Sequence, residues 1–411
     1  MLNPQTEAEL AAAVAGANGP LWVSGGGTRI WDSAARPEAL PSLDTSGLSG
    51  ISLYEPEALT MVVQAGTPLA EVQDRLRTQH QHLAFEPPDY RHLLGSVGTP
   101  TVGGAVATNA SGPRRVAAGA CRDFCLGVRF VDGRGRVLKN GGRVMKNVTG
   151  YDLVKVMAGS YGTLGVVTEV SLKVLPMPAT TATLRVHNVA GWQGLQVMVA
   201  AMQSPFEVSA AAHRAGDVWL RLEGFEDSVA YRVQALTALL APHGDITAQH
   251  DQAENARLWD GIRDIAPLAP CAYVWRVSMK PSAVYRGLLG KAVAQVDLDA
   301  FTDWAGALCW LGLTQEQAAD LASAAVQADR DQAETPADAG ARALHRRLQA
   351  AVVDPTLNEG GGGHATLIKA PQTMLAQVRR FQPQPAPIAR LSQNLRAQFD
   401  PRGILNPELM A

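Results

Sequence analysis

Short apolar runs alternate along the chain with Gly-, Pro- and Ser-rich breaks, in two textures that change near residue 178. Thr6-Glu7-Ala8-Glu9 has the Thr-x-x-Glu form of a capping box and predicts an Ala-rich helix to about Ala15. Gly19-Pro20 breaks it, and Leu21-Trp22-Val23 predicts a short strand running into Ser24-Gly25-Gly26-Gly27-Thr28. Runs at 51–54 and 60–64 predict two more strands. Pro68 suits the first turn of a helix that Leu69, Val72 and Leu76 continue at helical spacing. The stretch from Gly95 to Gly112, GSVGTPTVGGAVATNASG, has no large apolar anchor. A hairpin follows: a strand at 125–131, a turn at Asp132-Gly133-Arg134-Gly135, and Val137-Leu138. Residues 151–157 predict a short helix, and Gly162-Thr163-Leu164-Gly165 leads into a long strand at 166–175, closed by Pro176-Met177-Pro178.

Beyond those prolines, strand-like runs at 183–187, 218–222, 273–277 and 307–311 alternate with amphipathic helices at 228–240 and 253–265. Such a pattern predicts an α+β layer with a mostly antiparallel sheet. Gly360 to Gly363 reads as a loop, and the Pro-rich stretch from Gln382 to Pro387 precedes a last helix at 388–399. The expected division is 1–178, 179–384, and a C-terminal helix and tail at 385–411 that returns to the first domain.

With 411 residues and 46% hydrophobic content, the chain has material for two cores. A formal net charge of −2, with Lys and Arg scattered, provides no field for nucleic acid or an anionic membrane surface. The N-terminus lacks a secretory pattern and no apolar run approaches a membrane span, so a cytoplasmic protein is expected. Cys121, Cys125, Cys271 and Cys309 form no framework or close second pair, and packing roles without metal or iron–sulfur ligation are expected.

A diphosphate needs several donors on a concave surface, and successive backbone amides in a Gly-rich turn supply them. Ser24 to Thr28, just after a strand, has that character, although a ligand-free tight turn would look the same. The second cluster strengthens the case: Thr99, Thr101, Thr108, Asn109 and Ser111, standing among Gly95, Gly98, Gly103, Gly104 and Gly112, make a long loop that a ligand would hold together. A helix starting near Val102 would also aim its positive end at an anion. No GxxxxGK[ST] is present. The formal GxGxxA at Gly360, Gly362 and Ala365 is preceded by Asn358-Glu359 rather than a strand, and a Rossmann domain is disfavoured.

These motifs stand in the order used by flavoproteins of the vanillyl-alcohol-oxidase (PCMH) type: Ser24 to Thr28, then Thr101-Val102-Gly103-Gly104, then Gly162 to Val170, then Phe399-Asp400-Pro401-Arg402-Gly403-Ile404-Leu405-Asn406-Pro407. Within that group the sequence resembles the family of FAD-binding E subunits of bacterial glycolate oxidase, most of all at Phe85-Glu86-Pro87-Pro88 and Lys146-Asn147-Val148-Thr149-Gly150-Tyr151-Asp152-Leu153-Val154. The resemblance implies an α+β fold: a PCMH-type FAD-binding domain plus a cap with a mostly antiparallel sheet. It implies that Ser24, Gly25, Gly26, Gly27 and Thr28 wrap the FAD diphosphate. Gly98, Thr99, Thr101, Gly103, Gly104, Asn109, Ser111 and Gly112 would line the cofactor from ribityl to flavin, and Gly165, Val166 and Val167 would hold the adenine end. Relatives with covalent FAD carry a His in the first loop, which this chain lacks, so non-covalent FAD is expected. The metal-binding Gly-Asp-Gly-Asn-x-His and Glu-His-Gly motifs of catalytic relatives are also missing; His364 follows a Gly run without them, and no metal is expected.

Oxidation of a 2-hydroxy acid at a flavin needs a hydride acceptor, a base and a cation for the carboxylate. Arg114 and Arg115 are candidate cations, with Arg276 and Lys369 as alternatives in the cap. No base is assigned, so the catalytic residues stay open. The resemblance implies an FAD-dependent oxidoreductase subunit acting on the CH–OH of glycolate to give glyoxylate. Its partners would be a sister FAD subunit and an iron–sulfur subunit, through which the complex could associate with the inner membrane face. A non-catalytic FAD-binding assembly subunit and a stand-alone flavin oxidase of another substrate are the alternatives.

Overall fold

The computed structural model describes residues 1–29, 40–146, 150–324, 335–358, 362–407 and 409–410. Parts of two motifs noted above, at 147–149 and 360–361, lie outside the described residues. The chain divides into two compact units: one is Met1–Gly112, Gly119–Met177 and Gln384–Ala411; the other is Pro113–Ala118 and Pro178–Pro383.

The first unit carries an antiparallel five-stranded sheet in the order Ile51–Glu55, Thr60–Gln64, Val166–Lys173, Cys125–Val131, Val137–Gly141. A separate parallel pair joins Trp22–Ser24 to Ser42–Asp44. Helix Glu7–Ala15 is capped by Thr6, which accepts from Glu9 N at 3.2 Å, but the return bond of the expected capping box is displaced by one residue: the Glu9 carboxylate accepts from Gln5 N at 2.7 Å. Leu10 and Val14 pack with Leu21, Val23, Leu43, Val131 and Val166, and the C-terminal tail completes this core with Ile404 and Leu405.

That tail is bound by polar groups as well. Leu21 N donates to Ile404 O at 2.7 Å, and Asn406 Oδ1 accepts from Val23 N at 2.7 Å. The Arg402 guanidinium donates to the carbonyls of Val14, Ala15, Ala17 and Gly133, thereby satisfying C-terminal carbonyls of the first helix. The closing Asp-Pro-Arg-Gly-Ile-Leu-Asn motif is thus a structural clasp.

The second unit is built on an eight-stranded sheet, antiparallel throughout, in the order Ile246–Gln249, Thr180–Val186, Asp217–Gly224, Ala210–Arg214, Asp299–Asp303, Leu308–Leu313, Tyr273–Ser278, His364–Lys369. Helices Gly191–Gln203, Glu226–Leu240 and Pro336–Ala351 contribute their apolar residues to its one large core with Tyr273, Trp275 and Val277. Among the described residues no helix is long and apolar enough to cross a membrane.

Two histidines inside this unit are held neutral. His213 sits between Tyr285 OH (2.9 Å at Nδ1) and Val189 O (2.8 Å at Nε2). His345 Nδ1 accepts from the Trp275 indole at 3.2 Å while its Nε2 meets Arg379 O at 2.8 Å. Each ring has one nitrogen donating to a carbonyl and the other accepting, the neutral tautomer's pattern. Burial pushes both pKa values below the ordinary 6.5, against the raising effect of the carbonyl contacts. The unfolded chain therefore binds these protons first as pH falls. The stabilisation is complete above about 6.5 and is lost progressively below it, by up to about 1.4 kcal/mol per pH unit for each imidazole. Urea midpoints of the unit's unfolding should fall between pH 7.5 and 5.5, with a shallower slope in His345→Gln; a midpoint that rises on acidification would contradict this assignment.

Candidate functional site: a glycine-lined cavity and a pair of cap arginines

A cavity of about 300 Å³ opens in the first unit where strand Trp22–Ser24 ends. Ser24, Gly25, Gly26, Gly27 and Thr28 form one wall, Thr101, Gly103 and Gly104 a second, and Gly165, Val166 and Val167 a third. Eleven of the sixteen residues expected from sequence thus meet around one space. Gly98, Thr99, Asn109, Ser111 and Gly112 do not line it.

Those five instead shape the loop. A Cβ on Gly26 would stand 1.5 Å from Thr99 O, and one on Gly98 would stand 1.7 Å from Gly26 O, so the two glycine loops cross with backbone on backbone. Asn109 Oδ1 accepts from Arg122 N at 2.9 Å, Ser111 Oγ accepts from Cys121 N at 3.0 Å, and Gly112 N donates to Phe85 O at 2.9 Å. Buried Phe85, tilted against Phe124 at 5.7 Å, is the apolar anchor that the loop's own sequence lacks.

The donors divide sharply between the two loops. Helix Val102–Ala107 does begin where the sequence predicts, but its first three amides are taken: Val102 N by Thr67 O (3.0 Å), Gly103 N by Ala65 O (2.7 Å) and Gly104 N by Thr101 Oγ1 (3.2 Å). Its end is closed to an anion, which corrects the expectation of a helix terminus aimed at phosphate. The amides of Gly25, Gly26, Gly27 and Thr28 meet no protein acceptor among the described residues. Four consecutive amides left open in residues that line a cavity have the form of an anion-binding nest, and buried Arg29 lines the same wall. Gly27 and Gly104 leave space: a Cβ on Gly27 touches nothing within 4 Å, and one on Gly104 meets Thr101 Oγ1 at 3.3 Å and then the Arg29 side chain. The residues present fit the phosphate-bearing part of a dinucleotide.

Sequence reasoning missed several lining residues. Ser42 and Thr45 belong to the parallel partner strand and its exit, and Asn406 belongs to the tail clasp, where it also donates to Tyr161 O at 2.9 Å. The Asn in the closing motif was the available signal; nothing local marks Ser42.

In the second unit the cationic candidates separate by their partners. Arg114 makes a two-point ion pair with Glu223, Nε to Oε2 at 2.9 Å and Nη2 to Oε1. Burial works against the Glu223 charge, but Arg221 and Arg114 outweigh it and hold the carboxyl down at about 2. Arg114 is thereby neutralised. Lys369 Nζ donates to Ala269 O at 2.9 Å. Arg115 and Arg276 both lie against the Trp304 indole, at 5.8 and 5.0 Å from the ring centre, and among the described residues neither meets a carboxylate. Trp304, Ala305 and Gly306 are three successive residues in the left-handed region, at φ 54, 54 and 89°. For the two non-glycine residues that costs about 1–2 kcal/mol each, in part offset where Asp303 Oδ1 accepts from Trp304 N at 2.7 Å. Backbone strain of this kind clusters where a side chain must be held in place. His364 is exposed at the start of its strand, and its pKa is lowered by local burial and then by the Arg276 charge.

The comparisons agree with this geometry. Residues 1–141 match the model of the FAD binding domain family. The solved structure of p-cresol methylhydroxylase has a TM-score of 0.67 at 14% identity, covering 99% of this chain and 88% of that one. Alkyldihydroxyacetonephosphate synthase has a TM-score of 0.66 at 14% identity over 98% of this chain and 76% of the other. Fold and cavity together define an FAD-binding flavoprotein of the PCMH type. Glycolate oxidase subunit GlcE of Escherichia coli K12 is 32% identical over 95% of this chain and 92% of its own length, and the chain belongs to that family of FAD-dependent oxidoreductases. Glycolate oxidase subunit GlcD of Bacillus subtilis 168 is 33% identical over 40% of this chain and 34% of its own length.

Two glycine variants separate ligand space from loop crossing. Gly104→Asp puts a carboxylate into the cavity, and its charge in a poorly screened site repels phosphate. Its flavin content should drop at least tenfold while far-UV circular dichroism stays that of the wild type. Gly26→Ala should lose flavin and thermal stability together, because the loops cannot cross. Full flavin occupancy in Gly104→Asp would show that FAD does not use this wall.

Proposed function

We propose that the chain is the FAD-carrying subunit of a multi-subunit glycolate oxidase that converts glycolate, a small 2-hydroxy acid, to glyoxylate. When bound, FAD supplies a two-electron acceptor for the carbon that bears the hydroxyl. The open amides of residues 25 to 28 hold its diphosphate without a covalent bond, since no His stands in that loop. Gly165, Val166 and Val167, which line the same cavity, are the residues we assign to the adenine end. Arg115 and Arg276 receive the substrate carboxylate, for which a guanidinium's two-point hydrogen bonding is suited. The observation that carries this reading is the pair of guanidiniums, without carboxylate partners among the described residues, braced on a strained tryptophan. Electrons then pass to a sister FAD subunit and an iron–sulfur subunit; the name of the GlcE relative, a glycolate oxidase subunit, supports such an assembly.

The test is a dye-linked glycolate assay on the isolated chain and on the chain co-expressed with those two subunits. Turnover should appear with the complex and be at least tenfold lower for the chain alone, and acid precipitation should release the flavin to the supernatant. In the complex, Arg276→Leu should raise KM by roughly 30–100-fold, the equivalent of losing one charge-assisted pair worth about 2–3 kcal/mol. Equal turnover by the isolated chain would refute the dependence on partners. An unchanged KM would refute the carboxylate site and leave the assembly-subunit reading in its place.

A further inference from the structure

Helix Ala386–Phe399 is fourteen residues long, and none of them is buried. Ile388, Leu391 and Leu395, spaced to share one face, are 48, 64 and 40% exposed. A helix of this length is marginal in water on its own, and burial of an apolar stripe is what normally secures it. Among the described residues its ties to the rest of the unit are at the C-terminal end: Phe399 lies against Phe130 at 6.0 Å, and Arg396 Nη2 donates to Leu405 O and Asn406 O, both at 3.1 Å. The helix is therefore fixed in place with its stripe facing outward. Its charged residues are Arg390 and Arg396, with no carboxylate anywhere along it.

We propose that this stripe seats in an apolar groove, rimmed by carboxylates, on a different subunit of the assembly. The inference rests on the reading of the chain as one subunit of a glycolate oxidase. Charge selects the occupant. Two copies of this chain packed stripe to stripe would set two helices of unbalanced positive charge side by side, whereas an acidic rim compensates Arg390 and Arg396 and favours encounter. Three apolar side chains seated in such a groove are the anchors of a helix-in-groove contact.

The experiment co-expresses the tagged full chain with the GlcD-type and iron–sulfur subunits and measures the molar ratio of each that co-purifies, identified by mass. The variants are Leu391→Glu and Leu391→Lys, with flavin content and melting temperature as folding controls; the position is exposed, so both should match the wild type in those controls. Leu391→Glu should reduce the co-purifying ratio at least tenfold, and Leu391→Lys should reduce it less, because an acidic rim tolerates a cation better. A wild-type ratio in Leu391→Glu overturns the proposal, and so does a larger loss in Leu391→Lys. If light scattering finds the isolated chain to be a dimer that Leu391→Glu splits, the occupant is a second copy and the proposal fails. A wild-type chain that captures no subunit refutes the assembly reading itself, whereas the variant-to-wild-type comparison refutes the stripe alone.

Discussion

Two glycines, Gly26 and Gly98, let the two loops of the FAD unit cross with their backbones in contact, and no other residue type would permit the approach. The consequences spread outward from that crossing. It sets residues 25 to 28 along a cavity, with amides that meet no protein acceptor among the described residues, beside Thr101, Gly103 and Gly104. It also leaves the amides of helix Val102–Ala107 to bind Thr67 O, Ala65 O and Thr101 Oγ1, which fix that helix to the sheet instead of to a ligand. The strand entering the crossing, Trp22–Ser24, is held from one side by Ser42–Asp44 and from the other by the tail clasp through Asn406. One steric allowance thus ties the cofactor wall to both ends of the chain.

In the cap unit charge sorting plays the corresponding part. Arg114 and Arg221 share the single buried carboxylate of Glu223, where an isolated charge would be costly. Arg115 and Arg276 lie on Trp304, whose own backbone is left-handed. A cation held on an aromatic face gains about 0.5–2 kcal/mol, enough to position a guanidinium and too little to replace a carboxylate partner.

Much of this was legible in the sequence. The Thr6 cap, the Leu69/Val72/Leu76 stripe, the hairpin around Asp132 to Gly135 and the cap helices all follow from local chemistry, and the structure has each of them; of the capping box only the Thr6 half forms, since Glu9 reaches Gln5 N. The elements that escaped have non-local causes. Ser42-Leu43-Asp44 is a strand because Trp22 to Ser24 lies beside it, and Ala210-Ala211-Ala212-His213-Arg214 is a strand despite helix-favouring alanines because it is paired on both sides. Glycine positions were visible, but their reasons were not: Gly98 and Gly104 look alike in sequence, yet one meets backbone and the other faces the cavity. Arg114 and Arg115, adjacent in sequence, differ only because Glu223 reaches one of them.

The central claim is that the open amides of residues 25 to 28, rather than the helix end at Val102, bind the cofactor through its diphosphate. Calorimetric titration of the flavin-free chain with FAD, ADP and riboflavin tests it directly. The account predicts that ADP binds and competes with FAD, and that riboflavin, which lacks phosphate, binds at least a hundredfold more weakly than FAD. Riboflavin binding as tightly as FAD, with ADP unable to compete, would contradict it.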